Sequence, residues 1–195
     1  MKKIILISGK AQSSKDTSAS FMKSYLESKG ERVLITHYAD LLKYICKTFF
    51  NWDGNKDEIG RSILQHVGTD VVREQNPDYW VHFTIGIIDL FKDEWDYILI
   101  PDVRFPNEVE EMVDSFGRDY EMDNYGRICS EKNNIVKSVR ITRQGYDNGM
   151  TWEQLNHPSE CALDDYEFDY YIDNNGTIEE LEIKMKDLVD KLMNK

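Results

Sequence analysis

Histidine, cysteine and proline are scarce in this chain of 195 residues, which contains four, three and four of them. The histidines and cysteines form no CxxC or HExxH pair, and this argues against a zinc site. The cysteines are odd in number and lie far apart, which does not suit a disulfide framework. We therefore expect reduced thiols and a cytoplasmic protein. The cysteines are Cys46, Cys129 and Cys161.

Long apolar runs are also absent. The apolar residues 4–7 form too short a run for a signal peptide or a membrane span, and they lead into Ser8 and Gly9. A short apolar run that ends at a glycine is typical of a buried strand. We therefore expect a first strand here and no membrane partner.

The third absence is a cluster of basic residues. The formal net charge is −12, and no run of lysine or arginine offsets it. Nucleic acid is repelled by such a surface, so we expect no nucleic-acid partner. A few converging lysines and arginines still make a local positive pocket on an acidic protein, which keeps a small anionic substrate compatible with the sequence.

No internal repeat, proline-rich linker or low-complexity tract divides the chain, so we expect a single domain over residues 1–195. Apolar runs predict strands at residues 3–8, 32–38, 97–100, 135–142 and 168–173. Apolar residues at helical spacing predict helices at residues 16–29, 41–49, 57–74, 78–91, 108–116 and 178–192. Residues 117–134 are polar and have no periodic signal. The alternation implies an α/β fold of three layers with a parallel sheet of about five strands.

The first strand runs into residues 9–17, GKAQSSKDT, which nearly match the P-loop pattern GxxxxGK(S/T). In such a loop, backbone N–H groups and a helix N-terminus face phosphate oxygens, and the lysine, here Lys15, reaches the β- and γ-phosphates. Two positions depart from the pattern: Ser14 replaces the second glycine and Asp16 replaces the Ser/Thr, with Thr17 one residue later. If Ser14 needs a positive φ, the cost is on the order of 1 kcal/mol. The plain alternative is a strand–turn–helix with a polar N-cap.

Several segments in order resemble the bacteriophage-type deoxynucleoside monophosphate kinases. The most specific is DVRFPNE at residues 102–108. Lys15-Asp16-Thr17 is similar to the family's GKDT, so Asp16 is typical of it whereas Ser14 is not. The other similar segments are YADLLK at 38–43, LQHVGTDVVR at 64–73 and HPSE at 157–160.

The resemblance implies an adenylate-kinase-like fold, ATP with Mg²⁺, and phosphoryl transfer to a deoxynucleoside monophosphate. It implies a helical acceptor-binding insertion at about 39–94, a lid at about 143–160, and a location in the cytoplasm, that of the host if the protein is viral. Animal-type phosphomevalonate kinases are similar in the loop and at residues 159–164, so a non-nucleotide phosphate stays open as acceptor. A non-catalytic nucleotide-binding protein is the third interpretation. The oligomeric state is open, a homodimer included.

Phosphoryl transfer between two anions needs positioning and charge neutralisation more than covalent chemistry. The predicted catalytic residues are Lys15, Arg104 and Arg143. The predicted nucleotide-binding residues are Gly9, Lys10, Ser13, Ser14, Lys15, Asp16 and Thr17. The predicted substrate-binding residues are Asp40, Lys43, Arg61, Gln65, Thr69, Arg73, Trp80, Asp102, Arg104 and Glu160. Asp16 and Asp102 are the predicted Mg²⁺ ligands.

Each of these assignments has a plainer alternative. Arg104 follows a strand at the carboxyl edge of the sheet, where ligands of open α/β folds bind, but a surface ion pair with Glu108 also fits. Asp102 equally fits a cap of the following helix. Trp80 at helical spacing is more typical of a core. Arg73 also fits a solvated helix face, and the HPSE segment fits a helix start capped by Ser159.

Overall fold

The structure is a computed structural model in which residues 1–55, 57–117, 119–122, 128–132, 135–145 and 152–194 are described. The strands are β1 (Lys3–Ser8), β2 (Val33–Ile35), β3 (Tyr97–Val103), β4 (Asp119–Met122), β5 (Ile128–Lys132), β6 (Val136–Thr142) and β7 (Tyr170–Asp173). The helices are α1 (Lys15–Ser28), α2 (Ala39–Phe49), α3 (Glu58–Gln65), α4 (Tyr79–Leu90), α5 (Pro106–Met112), α6 (Trp152–Leu155), α7 (Pro158–Cys161) and α8 (Ile178–Met193). Two π-helical segments, His66–Arg73 and Val113–Gly117, continue α3 and α5.

Five parallel strands form the main sheet, in the order β2-β3-β1-β6-β7. β1 is central: Ile4 pairs with Ile98 of β3 on one side and with Val136 of β6 on the other. All six residues of β1 are buried, as expected of a strand in a parallel sheet with both faces covered. The predicted three-layer α/β fold with a parallel sheet of about five strands is confirmed.

The two faces of the sheet are packed by different helices. Ile5 and Ile7 contact the core formed with α1 and α8, whereas Ile4 and Leu6 contact the core formed with α4 and α5. This division follows from the strand period of two, which sends successive side chains to opposite faces. Since α1 follows β1 and α5 follows β3, the chain leaves these neighbouring strands toward opposite faces of the sheet. The general rule for open α/β sheets places a ligand crevice at such a point, between the carboxyl ends of the two strands.

The helices between β2 and β3 have a small buried cluster that is joined to the core on the sheet. Cys46, Trp52 and Val67 make a small cluster, and Leu42 and Ile45 belong both to this cluster and to the core on the sheet. The predicted insertion at 39–94 is thus packed directly on the sheet. None of the helices in the described part of the chain is both long and apolar enough to cross a membrane.

Four local predictions differ from the structure. The helix predicted at 57–74 is α-helical only to Gln65 and then π-helical, with Gly68 packed so closely that a Cβ would lie 2.6 Å from Leu42 Cδ2. The third strand continues through Pro101 to Val103. Proline is tolerated there because β2 pairs with β3 only up to Leu99 and the register with β1 shifts nearby.

The polar stretch at 117–134 contains regular structure where it is described. β4 and β5 pair as an antiparallel two-stranded sheet apart from the main one. Strand pairing depends on hydrogen bonds between distant backbone groups, and a polar sequence without alternation does not reveal it. The second strand is also shorter than predicted, Val33–Ile35 instead of 32–38.

Candidate active site

The loop between β1 and α1 makes close backbone contacts. A Cβ atom built on Gly9 would lie 2.5 Å from the carbonyl oxygen of Ile141 and 2.5 Å from Ser13 Oγ. Any side chain at this position would therefore push the loop away from the neighbouring strand β6. A glycine at the start of the loop is a packing requirement in this fold.

Ser14 has the conformation that the sequence pattern assigns to a glycine. Its φ of 71° and ψ of 31° are left-handed, and Gln12 also has a positive φ of 60°. Ser14 is the N-cap of α1, and within the described residues no side-chain hydrogen bond caps this end. The first N–H groups of α1 are thus left to bind an anion, which the helix dipole also favours.

The Ser13 hydroxyl is a second sign of an anion-binding loop. Ser13 is 2% exposed, and its Oγ has no hydrogen-bond partner among the described residues. Its backbone is fixed from both sides: the N–H donates to Lys10 O at 3.3 Å and the carbonyl accepts from Asn174 Nδ2 at 3.2 Å. A buried hydroxyl without a partner is costly unless a ligand or water meets it. The loop therefore fits a phosphate.

Lys15 is held over the same loop. Its Nζ donates to the carbonyl oxygens of Gly9 at 2.8 Å and Lys10 at 2.9 Å. Burial, together with the positive charge of Arg104, lowers the pKa of Lys15 to about 8, whereas the negative charge of Glu160 acts in the opposite direction. The loop thus already carries concentrated positive charge, which an incoming phosphate would neutralise.

Arg104 extends from the end of β3 toward the loop. Its side chain does not pair with Glu108, the plain alternative considered above: it pairs with Glu160 and donates to Ser159 O at 3.1 Å. Glu108 instead accepts the backbone N–H of Arg104 at 2.7 Å. Arg104 is thus tied, through Glu160, to the loop that holds Lys15, 89 positions earlier in the chain.

The HPSE segment lies against the loop. Glu160 Oε2 accepts the N–H of Ala11 at 3.1 Å, and the Glu160 carbonyl accepts Lys10 Nζ at 2.9 Å. Lys10 also pairs with Asp164 at 2.5 Å. The helix start is capped by His157, whose Nδ1 accepts the N–H of Ser159, so the expectation of a Ser159 cap was wrong.

Asp102 caps a helix, but not the one that follows it. Its two carboxylate oxygens accept the N–H groups of Tyr38 and Ala39, each at 3.0 Å, at the start of α2. The start of α5 is served by Glu108, which accepts the N–H of Phe105 at 3.1 Å. Asp102 thus joins the end of β3 to the predicted acceptor helix.

His37 is a site residue that the sequence reading missed. Its Nε2 lies 2.8 Å from Asp16 Oδ1 and its Nδ1 lies 3.4 Å from Asp40 Oδ2. The hydrogen bond with Asp16 raises the pKa of His37 despite its partial burial. Lys43 completes the cluster by pairing with Asp40 at 3.0 Å. The signal available in the sequence was the position of His37 just after the second strand, at the carboxyl edge of the sheet.

Two predicted acceptor residues are part of the packed interior. Trp80 is 2% exposed and donates its Nε1 hydrogen to Gly68 O at 3.0 Å. Arg73 pairs with the buried Glu108 and lies over the ring of Phe105, with Cζ 4.2 Å from its centroid. The plain alternative for Arg73, a solvated helix face, was therefore wrong. Neither residue reaches the loop.

The remaining predicted residues are exposed or half-buried. Arg143 follows β6 and is exposed, with one guanidinium nitrogen 3.5 Å from Gln12 O. Thr17, in the first turn of α1, is half-buried. Arg61, Gln65 and Thr69 lie on α3 and the π-helical segment, Arg61 exposed and the other two half-buried. The predicted lid at 143–160 includes residues 146–151, which lie outside the described residues.

The predicted magnesium ligands differ in their fit. Mg²⁺ in kinases is bound through one or two carboxylates and the substrate phosphates, so a dense protein cluster is not required. Among the described residues, no group of three or more His, Cys, Asp or Glu side chains is placed to hold a metal. Asp16 fits such a single ligand, because its carboxylate is exposed, although His37 Nε2 lies 2.8 Å from its Oδ1. Asp102 fits less well, because both its oxygens already accept N–H groups.

Strand order, loop and crevice define the chain as an α/β protein with the fold of P-loop kinases. An APS kinase from Mycobacterium tuberculosis matches with a TM-score of 0.51 and 12% identity, over 99% of this chain and 97% of that one. A gluconokinase from Sinorhizobium meliloti matches with a TM-score of 0.50 and 10% identity, over 98% and 93%. At such low identity the likeness concerns the fold alone.

Sequence comparison narrows the class. The sequence model of the family described as deoxynucleotide monophosphate kinase matches residues 28–118. A deoxynucleotide monophosphate kinase of Enterobacteria phage T4 is 28% identical over 134 residues, which are 68% of this chain and 46% of that protein. The chain thus spans about half the length of this curated relative. These matches confirm the resemblance to the phage-type deoxynucleotide monophosphate kinase family, and they support a kinase.

Proposed function

We propose that the protein transfers a phosphoryl group from ATP to a (deoxy)nucleoside monophosphate and so makes the diphosphate. The observation that carries this proposal is that Lys15 and, through Glu160, Arg104 are both held at an anion-binding loop. A loop that only bound a phosphate would not need a second cation from a distant strand. Two cations beside one loop suit a reaction in which negative charge is shared between donor and acceptor.

The roles of the residues follow from charge. The acceptor phosphate is ionised at neutral pH and attacks the γ-phosphorus in line, so no protein base is needed. Lys15 neutralises the phosphates in the loop, Arg104 stabilises the transferring group, and Arg143 approaches from the rim after β6. Asp16 would hold Mg²⁺, which supplies further charge neutralisation when bound. Loop backbone at Gly9, Lys10, Ser13, Ser14 and Thr17 cradles the donor.

We assign the acceptor to the side of the crevice formed by α2. Lys43 and Asp40 begin this helix beside Asp102 and provide one cation and one acceptor of hydrogen bonds. Arg61, Gln65 and Thr69 are proposed to complete this side. Arg73 and Trp80 are assigned an indirect role, because both are packed inside and only shape the helices that face the substrate.

The experiment is a panel of acceptors. The purified protein is incubated with ATP, Mg²⁺ and either deoxy- or ribonucleoside monophosphates or phosphomevalonate, and ADP release is followed. ADP formation only with nucleotides is the expected result. ADP formation only with phosphomevalonate would assign the protein to the other acceptor class, and ATP binding without turnover would make it a non-catalytic nucleotide-binding protein.

Lys15→Met provides the matched test of the loop. We expect the loss of turnover by at least about two orders of magnitude, because a charge that stabilises the transition state is removed. Lys29→Met, which removes a surface cation paired with Asp190, is the control and should keep wild-type turnover. Circular dichroism verifies that both variants are folded. Full activity of a folded Lys15→Met variant would contradict the assignment of the loop.

A further inference from the structure

The carboxylate of Glu160 occupies the loop in the way that a phosphate would. It pairs with the Arg104 guanidinium through one oxygen and accepts the N–H of Ala11 through the other, at 3.1 Å. The side chain of Glu160 is 7% exposed, whereas that of Arg104 is 40% exposed. A buried carboxylate that takes a guanidinium and a loop N–H has the two kinds of donor that phosphate oxygens prefer.

The carboxylate is also close enough to influence Lys15. Its negative charge opposes the lowering of the Lys15 pKa by burial and by Arg104. Glu160 is thus an internal counter-ion for both cations of the loop. A phosphate arriving at Lys15 and Arg104 would meet this negative charge at a few ångströms, and repulsion between like charges excludes their close coexistence.

The chain segment around Glu160 is fastened by contacts of different strength. Leu163 is 3% exposed and belongs to the core on the sheet, so the segment is anchored after α7. Before that anchor, the polar contacts to the loop and to β3 come from Lys10, Arg104 and Ala11. In these contacts the donors are charged side chains and a loop N–H, the same groups that bind phosphate oxygens, so a competing anion can replace them.

We propose that Glu160 is a built-in competitor of the substrate phosphate, a conclusion that rests on the proposed function of the loop. Without a ligand its carboxylate satisfies Arg104 and the Ala11 N–H. When a phosphate binds, it takes over both donors, and the Pro158–Cys161 turn moves off the loop with Glu160. Because the carboxylate carries a single charge, a polyphosphate chain displaces it more effectively than a singly or doubly charged ion does. The device therefore makes the loop selective for the polyphosphate of a nucleotide.

Inorganic tripolyphosphate is the probe, because it has the charge of a nucleotide tail and no base or sugar. Its dissociation constant is measured by calorimetry for the wild type, for Glu160→Gln and for Asp164→Asn. Asp164 is the matched control: it pairs with Lys10 and Arg140 near the loop but contacts neither Ala11 nor Arg104 in the structure. Both variants lose one negative charge, so a general electrostatic effect would appear in both.

We expect Glu160→Gln to bind tripolyphosphate about tenfold more tightly if the carboxylate occupies the loop in about nine tenths of the molecules. Asp164→Asn removes a nearby charge without vacating the Ala11 and Arg104 donors, so it should tighten binding less than Glu160→Gln does. Glu160→Asp keeps the charge on a shorter side chain, so its dissociation constant for tripolyphosphate should lie between those of the wild type and Glu160→Gln. A folded Glu160→Gln variant with equal or weaker binding would show that Glu160 merely positions Arg104. Absence of binding to every variant would also overturn the proposal.

Nuclear magnetic resonance supplies a second readout. Addition of tripolyphosphate to the wild type should shift the amide resonances of Ser159, Glu160 and Ala162 together with those of the loop. Shifts confined to the loop would contradict displacement of the turn. Neither measurement uses an acceptor, so its outcome does not depend on the acceptor panel. A protein without nucleotide kinase activity can still show displacement of Glu160, and an active kinase can still lack it.

Discussion

Ser14 is the position where sequence and geometry disagree. The sequence pattern expects glycine there, and the backbone indeed has the left-handed conformation that glycine adopts without strain. Asparagine and aspartate are the usual non-glycine residues in this region, because their side chains bond locally. Serine has a Cβ that crowds the following carbonyl. The chain therefore maintains a strained residue at the start of α1, a feature that is typical of functional loops.

Replacing Ser14 by glycine should relieve this strain. Two terms oppose each other: the left-handed conformation costs about 1–2 kcal/mol for a residue with a Cβ, and glycine loses about 0.5–1 kcal/mol through unfolded-state entropy. We expect Ser14→Gly to raise the free energy of unfolding slightly or to leave it unchanged, with ATP affinity maintained or increased. Denaturant unfolding and calorimetry provide the two measurements.

Ser20→Gly is the control for Ser14→Gly. Ser20 lies inside α1, is exposed, and donates its hydroxyl to Asp16 O at 2.9 Å. Glycine at this helical position should destabilise the protein by about 0.5 kcal/mol. An equal loss in free energy of unfolding for both variants would mean that Ser14 is not strained. A clear loss of ATP affinity in Ser14→Gly would mean that the loop does not bind ATP as a P-loop does.

At the scale of elements, one buried carboxylate connects three segments. Glu108 is 1% exposed, and it accepts the N–H groups of Arg104 and Phe105 and pairs with Arg73 of the π-helical segment. The end of β3, the start of α5 and the predicted acceptor helices are therefore joined at one side chain. Removal of one partner of a buried pair is far more costly than loss of a surface pair, since a charge is left without compensation.

Arg73→Met should lower the free energy of unfolding by about 3–5 kcal/mol. Arg32→Met, which breaks the exposed pair with Asp96, is the control and should cost less than about 1 kcal/mol. Urea denaturation measures both. A small loss in Arg73→Met would imply that Glu108 is stabilised by its N–H donors alone.

The pH dependence gives an independent check of Arg73→Met. Burial raises the pKa of Glu108 above its ordinary value, and Arg73 acts against this shift. Without Arg73 the pKa rises further. A carboxyl with a raised folded-state pKa contributes its full stability below the unfolded-state pKa and loses it as pH rises through the folded-state pKa. The loss in free energy of unfolding that Arg73→Met causes should therefore be larger at about pH 7 than at about pH 5. A loss that does not depend on pH would contradict the buried pair of Arg73 and Glu108.

The elements that were predicted well are those formed by a short, local sequence pattern. β1 was predicted with its observed bounds, because a short apolar run before a glycine is typical of a buried strand. The apolar stripe of α8 predicted that helix equally well. The β4–β5 pair and the π-helical segment were missed, since both depend on contacts between distant residues. Within the site, the position of Arg104 followed from its strand, whereas its pairing with Glu160 required the tertiary structure.

At the scale of the whole molecule, we propose that the chain is one cooperative unit. Leu42 and Ile45 pack both against the small cluster around Trp52 and against the sheet core, so the predicted insertion has no independent interior. Thermal unfolding followed by tryptophan fluorescence and by far-ultraviolet circular dichroism should give one shared midpoint. An earlier fluorescence transition would indicate that the helices between β2 and β3 unfold separately.

The central place of β1 has a consequence for how the protein is made. Among the strands of the main sheet, β1 is synthesised first; it pairs with β3 and β6, and β6 ends only at Thr142. On the ribosome, the apolar strand Lys3–Ser8 must therefore remain without β3 until Val103 has emerged and without β6 until Thr142 has emerged. Folds dominated by such distant pairings form slowly, and until they form, their unpaired strand edges are prone to aggregation. The soluble yield of this chain should therefore depend more on the rate of synthesis and the supply of chaperones than on the free energy of unfolding of the folded protein.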